Sequence, residues 1–472
     1  MKIYFKQINF DYISIKIFKM LYSFLKIVMQ ITVRVFFRSI TIRNKEWIPE
    51  KGPLMVLVNH PSTFMDPIVI ATMLNRKVYF LGKGELFRNK IAKWLLPKFN
   101  VIPIYRQKDD PTLMSKNKEI FIRCFEHLEN GGALLMFPEG TSITERKLRP
   151  IKTGAARIAL GAEAQNNFQL GVHIITIGLN YANPHKFNRD LFINIGRPIN
   201  VIDFKEEYAL DEFKAAENLT EEIRKHLEKL IIAIEDDKTD KLVKNIEILY
   251  KYKLSKELGI SKKDKNADFI MTKNIVETVN HYIKNNPQRV ENIRSRMEEY
   301  LNNLRQLGLR DTDIARNQKN RSFLLSNLEA LLILVLGFPI YTYGLINNYL
   351  PFKIPSLIAK KISSSIEFRG AIGMVGGMFT FLIFYILQIT LVWKYSHIQW
   401  LTIAYGLSLP ISGLFAYWYF HTVNKMRTKW ILMMLFYKRS VFISSLITER
   451  EQIIAEFDKA KNELQGIQLN PG

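Results

Sequence analysis

The chain has 472 residues, 48% of them hydrophobic, and 67 Lys and Arg against 44 Asp and Glu give a formal charge of +23. That length exceeds one ordinary domain, so two or three parts are expected. The positive charge suits nucleic acid, anionic lipid or anionic small molecules. Apolar stretches near both ends select lipid, and the chain offers no groove-reading basic helix or interleaved aromatic platform for nucleic acid. Cys124 is the only cysteine, which excludes an internal disulfide and a cysteine zinc site and fits a reducing compartment.

Ile8 to Phe37 is apolar and aromatic but interrupted by Lys16, Lys19 and Lys26. This pattern suggests an amphipathic anchor lying in the membrane interface, its lysines reaching the headgroups. No small-residue cleavage site follows a short apolar core, so a cleaved signal peptide is not expected. From Trp47 to about Val201 apolar strand and helix patterns alternate. Strands are expected at Leu54–Val58, Val78–Leu81, Val101–Tyr105, Ala133–Phe137 and His173–Leu179. Helices are expected at Pro67–Leu74, Lys116–Glu129 and Gly154–Ala164. Such alternation implies an α/β layer fold.

Phe204 to Arg321 reads as charged helices with i,i+3 and i,i+4 ion pairs. Phe323–Leu350 is apolar and carries Gly337-Phe338-Pro339 in its middle, whereas Ala371–Trp393 and Trp400–Phe420 are long enough to span a bilayer. Basic flanks at Arg316–Arg321, Lys353–Arg369 and Lys425–Arg439 belong on one side under the positive-inside rule. The arrangement that satisfies this makes Phe323–Leu350 a shallow hairpin bent at Gly337-Phe338-Pro339 between two flanks on the same side, followed by two true spans.

Two stretches concentrate the chemistry. Asn59-His60-Pro61-Ser62-Thr63-Phe64-Met65-Asp66 places a histidine after a strand and a carboxylate where it can fold back on the imidazole. A histidine is suited to removing a proton from a weakly nucleophilic hydroxyl, and a carboxylate on its other nitrogen fixes the tautomer. Phe137-Pro138-Glu139-Gly140-Thr141-Ser142 follows another strand. There Gly140 lets backbone N–H groups approach an anion and Thr141 can donate a hydrogen bond. Glu139 cannot itself bind phosphate and is expected to accept from backbone or substrate hydroxyls. Arg106 ends its strand and could pair with a phosphate, and Lys83, Arg146, Arg149 and Lys152 crowd nearby in sequence. No Gly-x-Ser-x-Gly, His-Glu-x-x-His or Cys-x-x-Cys occurs, so neither a serine elbow nor zinc is supported.

These stretches, together with Ile102-Pro103-Ile104-Tyr105-Arg106 and Ile174-Ile175-Thr176-Ile177-Gly178-Leu179-Asn180-Tyr181, resemble the four ordered blocks of the glycerolipid (phosphate) acyltransferase family. The resemblance covers about Gly52 to Val201. It implies an α/β acyltransferase core with N-terminal interfacial helices and a C-terminal helical membrane domain. It also implies His60 as base with Asp66 as its partner, and acyl-acceptor contacts at Arg106, Glu139 and Gly140, beside which Thr141 and Lys83 stand as substrate-contact candidates from their own chemistry. The implied donor is acyl-CoA or acyl-carrier protein, the acceptor a glycerol phosphate, with membrane lipid as partner and no metal or cofactor. Ser142 stands where many bacterial lysophosphatidate acyltransferases carry arginine. Leu148–Ala155 and Asn180–Phe187 are closer to the fungal-type glycerol-3-phosphate and dihydroxyacetone-phosphate acyltransferases. The expected division is 1–45 membrane-associated helices, 46–203 acyltransferase domain, 204–321 helical extension, 322–424 membrane domain and 425–472 cytoplasmic tail, in an integral membrane protein whose catalytic domain faces the cytoplasm. The expected reaction is acylation of glycerol 3-phosphate or dihydroxyacetone phosphate. Lysophosphatidate acylation, a lipid-binding scaffold without turnover, and a thioester hydrolase are the other readings.

Overall fold

A computed structural model describes residues 23–105, 115–259, 264–316, 323–362, 366–438 and 440–469. The anchor expected over Ile8–Phe37 therefore lies partly outside the described residues, and so does Arg106. Two compact units are present, one of Met1–Ala233 with Ile358–Val375, the other of Ile234–Leu357 with Gly376–Gly472.

The first unit is built on an eight-stranded sheet. In chain order its strands are β1 (Phe37–Arg43), β2 (Leu54–Val58), β3 (Tyr79–Lys83), β4 (Val101–Ile104), β5 (Ala133–Met136), β6 (His173–Tyr181), β7 (Arg189–Ile195) and β8 (Ile199–Asn200). The spatial order is β1-β7-β6-β2-β5-β3-β4, with β8 on β6. Strands β6, β2, β5, β3 and β4 are mutually parallel, and β7 turns back antiparallel to β6. Every residue of β2 and β5 is buried, as befits parallel strands covered on both faces.

One face carries α4 (Asn117–Glu129), α5 (Gly154–Gln165) and α7 (Glu212–Leu230), whose Leu128, Ile158, Leu160, Leu219 and Leu227 pack with Met55, Leu57 and Leu134. Cys124 lies fully buried here, and burial pushes its thiol up to about 12, as for a small core hydrophobe. The other face carries α1 (23–36) and α2 (Met65–Met73), with Val33, Phe36, Val69 and Ile70 against Val56 and Val58. The short helices α3 (Lys90–Leu95) and α6 (Lys205–Leu210) complete this set.

Two expected boundaries move. The sheet begins at Phe37, because β1 pairs with β7 at the edge, so residues 37–43 are strand and not membrane helix. The core unit runs to Ala233, because the apolar stripe of α7 is buried on α5. An amphipathic helix of high charge still packs when one face is apolar.

The second unit contains α8 (Asp237–Glu257), α9 (Lys265–Asn285), α10 (Pro287–Gln306) and α11 (Asp311–Arg316). Three long helices follow, α12 (Phe323–Ile362), α13 (Ile366–Ser396) and α14 (Gln399–Lys438), and then α15 (Ser440–Leu469). Among the described residues, Leu332–Ile362, Glu367–Ser396 and Gln399–Thr428 are long and apolar enough to cross a membrane.

The bend expected at Gly337-Phe338-Pro339 is not there, since α12 follows α14 in one direction through it, Leu334 and Tyr341 meeting Tyr419 and Gly344 meeting Ser412. Its contacts place the change of direction later. Leu334 accepts from Tyr419 Oη at 2.8 Å, and Asn347 meets Tyr405 and Gln388 at 2.7 and 3.0 Å. Beyond them the Pro351 carbonyl accepts from Thr380 at 2.8 Å, and Pro355 packs on Gly376. Tyr405 and Gln388 sit near the turn at His397 that joins α13 to α14, whereas Tyr419 and Gly376 sit far from it. Helix α12 thus approaches that turn and leaves again. Pro351 and Pro355 lack the N–H groups that would bond Asn347 O and Pro351 O, and the side chains of Gln388 and Thr380 take those carbonyls instead.

Parity supports the same reading. Helix α15 is pinned to the helices that precede α12. Arg450 pairs with buried Asp311 at 2.7 Å, Arg289 with Glu456 and Glu463 at 2.7 and 2.6 Å, and Arg296 with Glu449 at 2.8 Å. Segments in contact lie on one side of a bilayer, so the crossings between them must be even in number. Helices α13 and α14 should cross while α12 enters and returns. In a Cys124→Ser background, cysteines introduced at Lys353 and Lys459 should be labelled from one side and a cysteine at His397 from the other. Labelling of the first two from opposite sides would sink this topology.

Candidate active site

The site forms at the carboxyl ends of β2, β5 and β6, where open α/β sheets place their ligands. Asn59 continues β2 by exchanging bonds with Leu179, its amide nitrogen donating to the carbonyl at 3.1 Å and its oxygen accepting the Leu179 N–H at 2.7 Å. The chain then turns through Pro61 and Ser62 into α2, which begins at Met65 and so carries Asp66 in its first turn.

His60 and Asp66 are brought together, with Nδ1 and Oδ2 2.8 Å apart. Asp66 is completely buried. Its Oδ2 also accepts the Ser62 N–H at 2.8 Å, and its Oδ1 accepts the Tyr181 hydroxyl at 2.8 Å. Three donors and a helix N-terminus converge on one carboxylate. Burial, then the charge and hydrogen bond of Asp66, push the Tyr181 phenol well above its ordinary value, which keeps it a donor. With Nδ1–H given to Asp66, Nε2 of His60 carries the free lone pair. The imidazole stacks on Phe137 with centroids 3.9 Å apart and planes 15° apart.

Glu139 is buried, and its oxygens accept the backbone N–H of His60 at 2.8 Å and of Arg149 at 3.1 Å. It braces the two loops to each other. Burial raises its carboxyl above the ordinary value despite these two donors. Gly140 has φ +65°, and its N–H closes the turn onto Phe137 O at 3.0 Å. The left-handed conformation explains the glycine. Thr141 lies half-buried in the same turn.

Ser142 Oγ accepts from the Thr63 N–H at 2.7 Å and the Thr63 hydroxyl at 3.1 Å, and Thr144 donates to Pro61 O at 2.9 Å. At Ser142, the position of departure from the arginine pattern, this chain therefore ties its two motif loops together. Lys83 ends β3, two strands from β2, and pairs with Glu85. Arg149 pairs with Glu145 at 2.9 Å.

Tyr181 was missed as a site residue. The available signal was a phenol closing a largely apolar strand that runs parallel to the histidine strand, at the same end of the sheet.

Residues 39–180 match the family model described as Acyltransferase. The chain is 23% identical to glycerol-3-phosphate O-acyltransferase 1 of Saccharomyces cerevisiae over 51% of its own length and 43% of that protein, so it spans less than half of that relative. It is 28% identical to a chloroplastic 1-acyl-sn-glycerol-3-phosphate acyltransferase of Brassica napus, over 28% of this chain and 37% of that one. A crystal structure of the 1-acyl-sn-glycerophosphate acyltransferase of Thermotoga maritima aligns with 20% identity and a TM-score of 0.30, covering 43% of this chain and 78% of that one. In residues 39–180 this chain carries a domain of the acyltransferase family.

Proposed function

We propose that the protein is a membrane-bound O-acyltransferase that moves a fatty acyl group from an acyl-CoA or acyl-carrier-protein thioester to a hydroxyl of glycerol 3-phosphate or dihydroxyacetone phosphate. The observation that carries this is the His60–Asp66 pair at 2.8 Å, with Asp66 held by Ser62 and Tyr181. Asp66 keeps the proton on Nδ1, so Nε2 removes the proton of the acceptor hydroxyl as its oxygen attacks the thioester carbonyl. The new C–O bond gives a tetrahedral oxyanion. Its collapse breaks the C–S bond, and the departing sulfur takes the proton back from the imidazolium. No covalent acyl-enzyme is needed, and none of the residues proposed for these steps requires a metal.

Lysophosphatidate acylation is the second reading, favoured by the chloroplastic relative. The yeast relative matches a longer part of the chain, which favours glycerol 3-phosphate. Transfer of labelled acyl groups to glycerol 3-phosphate, dihydroxyacetone phosphate and 1-acylglycerol 3-phosphate separates the two. Transfer to the first or second acceptor is expected, and release of free fatty acid alone would overturn acyl transfer altogether.

Arg106 is proposed to hold the acceptor phosphate, since a guanidinium can bind it through two bonds. Arg106→Ala should raise the acceptor KM roughly tenfold or more, about the loss of one charge-assisted contact, and leave the donor KM near its original value. An effect confined to the donor KM would count against that role. The catalytic unit is proposed to face the cytoplasm, where acyl thioesters are made.

A further inference from the structure

The loop between His60 and Asp66 bears two local penalties. Thr63 has φ +23°, a region that β-branched residues avoid. Ser62 is fully buried, and among the described residues its hydroxyl has no hydrogen-bond partner, which costs stability. Conformations of this kind persist only where the surroundings over-determine them. Here the holding group comes from the other motif. Ser142 Oγ accepts from the Thr63 N–H at 2.7 Å and from the Thr63 hydroxyl at 3.1 Å. Thr144 adds a second tie by donating to Pro61 O at 2.9 Å. Between the two ties lies Ser62, and its backbone is bound to Asp66 from both sides. The Ser62 N–H donates to Asp66 Oδ2 at 2.8 Å, and Ser62 O accepts from the N–H groups of Met65 and Asp66. A rotation at Thr63 would therefore carry the carboxylate with it and break its bond to Nδ1 of His60.

We propose that Ser142 is a positioning residue: by accepting both Thr63 donors it holds the strained loop in the conformation that keeps Asp66 on His60. This rests on the acyl-transfer reading above. Ser142 acts through Thr63 and touches no reacting atom. What matters at position 142 is an acceptor. Alanine removes the oxygen, and arginine brings five donors and no acceptor, so neither can hold Thr63. An arginine at 142 and this loop conformation exclude each other. Threonine keeps the oxygen.

Steady-state kinetics of the full chain in detergent micelles separate positioning from substrate contact. Ser142→Ala and Ser142→Arg should lower kcat about tenfold, within the ~100-fold that a misplacement of about 1 Å can cost, and leave both KM values within about twofold. Ser142→Thr should recover most of the lost kcat. Thr63→Gly relieves the strained φ and already lacks one of the two bonds. In that background Ser142→Ala should cost roughly threefold less in kcat than it does alone. A raised acceptor KM at unchanged kcat would make Ser142 a substrate contact and overturn the proposal, and so would equal losses in both backgrounds. If the unaltered protein transfers no acyl group, the reaction is wrong, and melting temperatures decide the positioning role. His60→Ala should then lower the melting temperature less in the Ser142→Ala background than in the unaltered chain, because the bond it removes is already weakened. Equal losses would show that Ser142 does not hold the pair.

Discussion

His60→Ala and Asp66→Asn should each remove almost all acyl transfer while leaving the fold intact. Loss of a positioned general base costs roughly 10²–10⁴-fold. The Asp66 substitution should be at least as damaging, for a reason visible in its partners. Oδ2 receives both the Ser62 N–H and the His60 ring nitrogen. An amide NH2 at that position would face a backbone donor and would force Nδ1 to accept. The proton then moves to Nε2, the atom that must take the acceptor's hydrogen. In another His–carboxylate pair the same change costs about 10⁴-fold. If the amide instead turned its oxygen toward Ser62 and Nδ1, its nitrogen would donate to the Tyr181 hydroxyl oxygen once that proton rotated away, but the negative charge that stabilises the imidazolium would still be lost. Circular dichroism and melting curves check the fold. Purified variants that keep near-original rates would remove His60 and Asp66 from the mechanism.

Glu139→Ala should be the second most damaging change, although Glu139 touches no reacting atom in this account. Its removal strands two backbone donors, those of His60 and Arg149, each at about 1–3 kcal/mol when buried. The His60 loop would lose its register against the turn at Gly140. A fall in kcat of more than tenfold, with a lower melting temperature, is the expected result, and Glu139→Gln should restore part of both. The raised carboxyl adds a pH signature. Between the ordinary value of 4.5 and the raised folded value, the folded form holds more protons than the unfolded one, so this group's contribution to stability declines as pH rises through that window. Glu139→Gln should flatten that decline in denaturant titrations across the acidic range. Glu139→Ala matching the unaltered protein in rate and melting would show that the brace is dispensable.

Much of the site was legible because local sequence fixes it. His60 and Asp66 lie six residues apart across a strand end and a first helical turn, a spacing short enough to be geometrically closed. The layer class followed from buried runs such as Leu54–Val58 and Ala133–Met136. Tyr181 was not legible as a partner of Asp66, since 115 positions separate them and only the sheet order makes them neighbours. β1 was hidden because Phe37–Arg43 is short, bracketed by Arg38 and Arg43 and adjacent to an apolar helix, so its signal resembled a membrane flank. In α12 the eye was drawn to Gly337 and Pro339. The decisive residues are Pro351 and Pro355, which free the carbonyls of Asn347 and Pro351 for polar side chains of α13. A proline alone does not tell which of several kinks a neighbouring helix will stabilise.

The clasp of α15 on α8 to α11 also dictates an order of assembly. Arg289, Arg296 and Asp311 emerge from the ribosome long before Glu449, Arg450, Glu456 and Glu463. At ~5–20 residues per second, translation of the intervening helices takes on the order of ten seconds. During that interval α8–α11 must wait with a charged groove unfilled, and buried Asp311 lacks its arginine. The extension therefore completes its folding only after α12 to α14 have been made, and in the topology expected above its closure requires that the chain has returned to the side it left. A chain inserted with the wrong number of crossings would carry α15 to the far side and leave the groove open, exposed to proteolysis. Quality control of topology would in this sense be built into the ion pairs of the clasp, which also include Lys253 with Asp458 and Lys461 with Glu257.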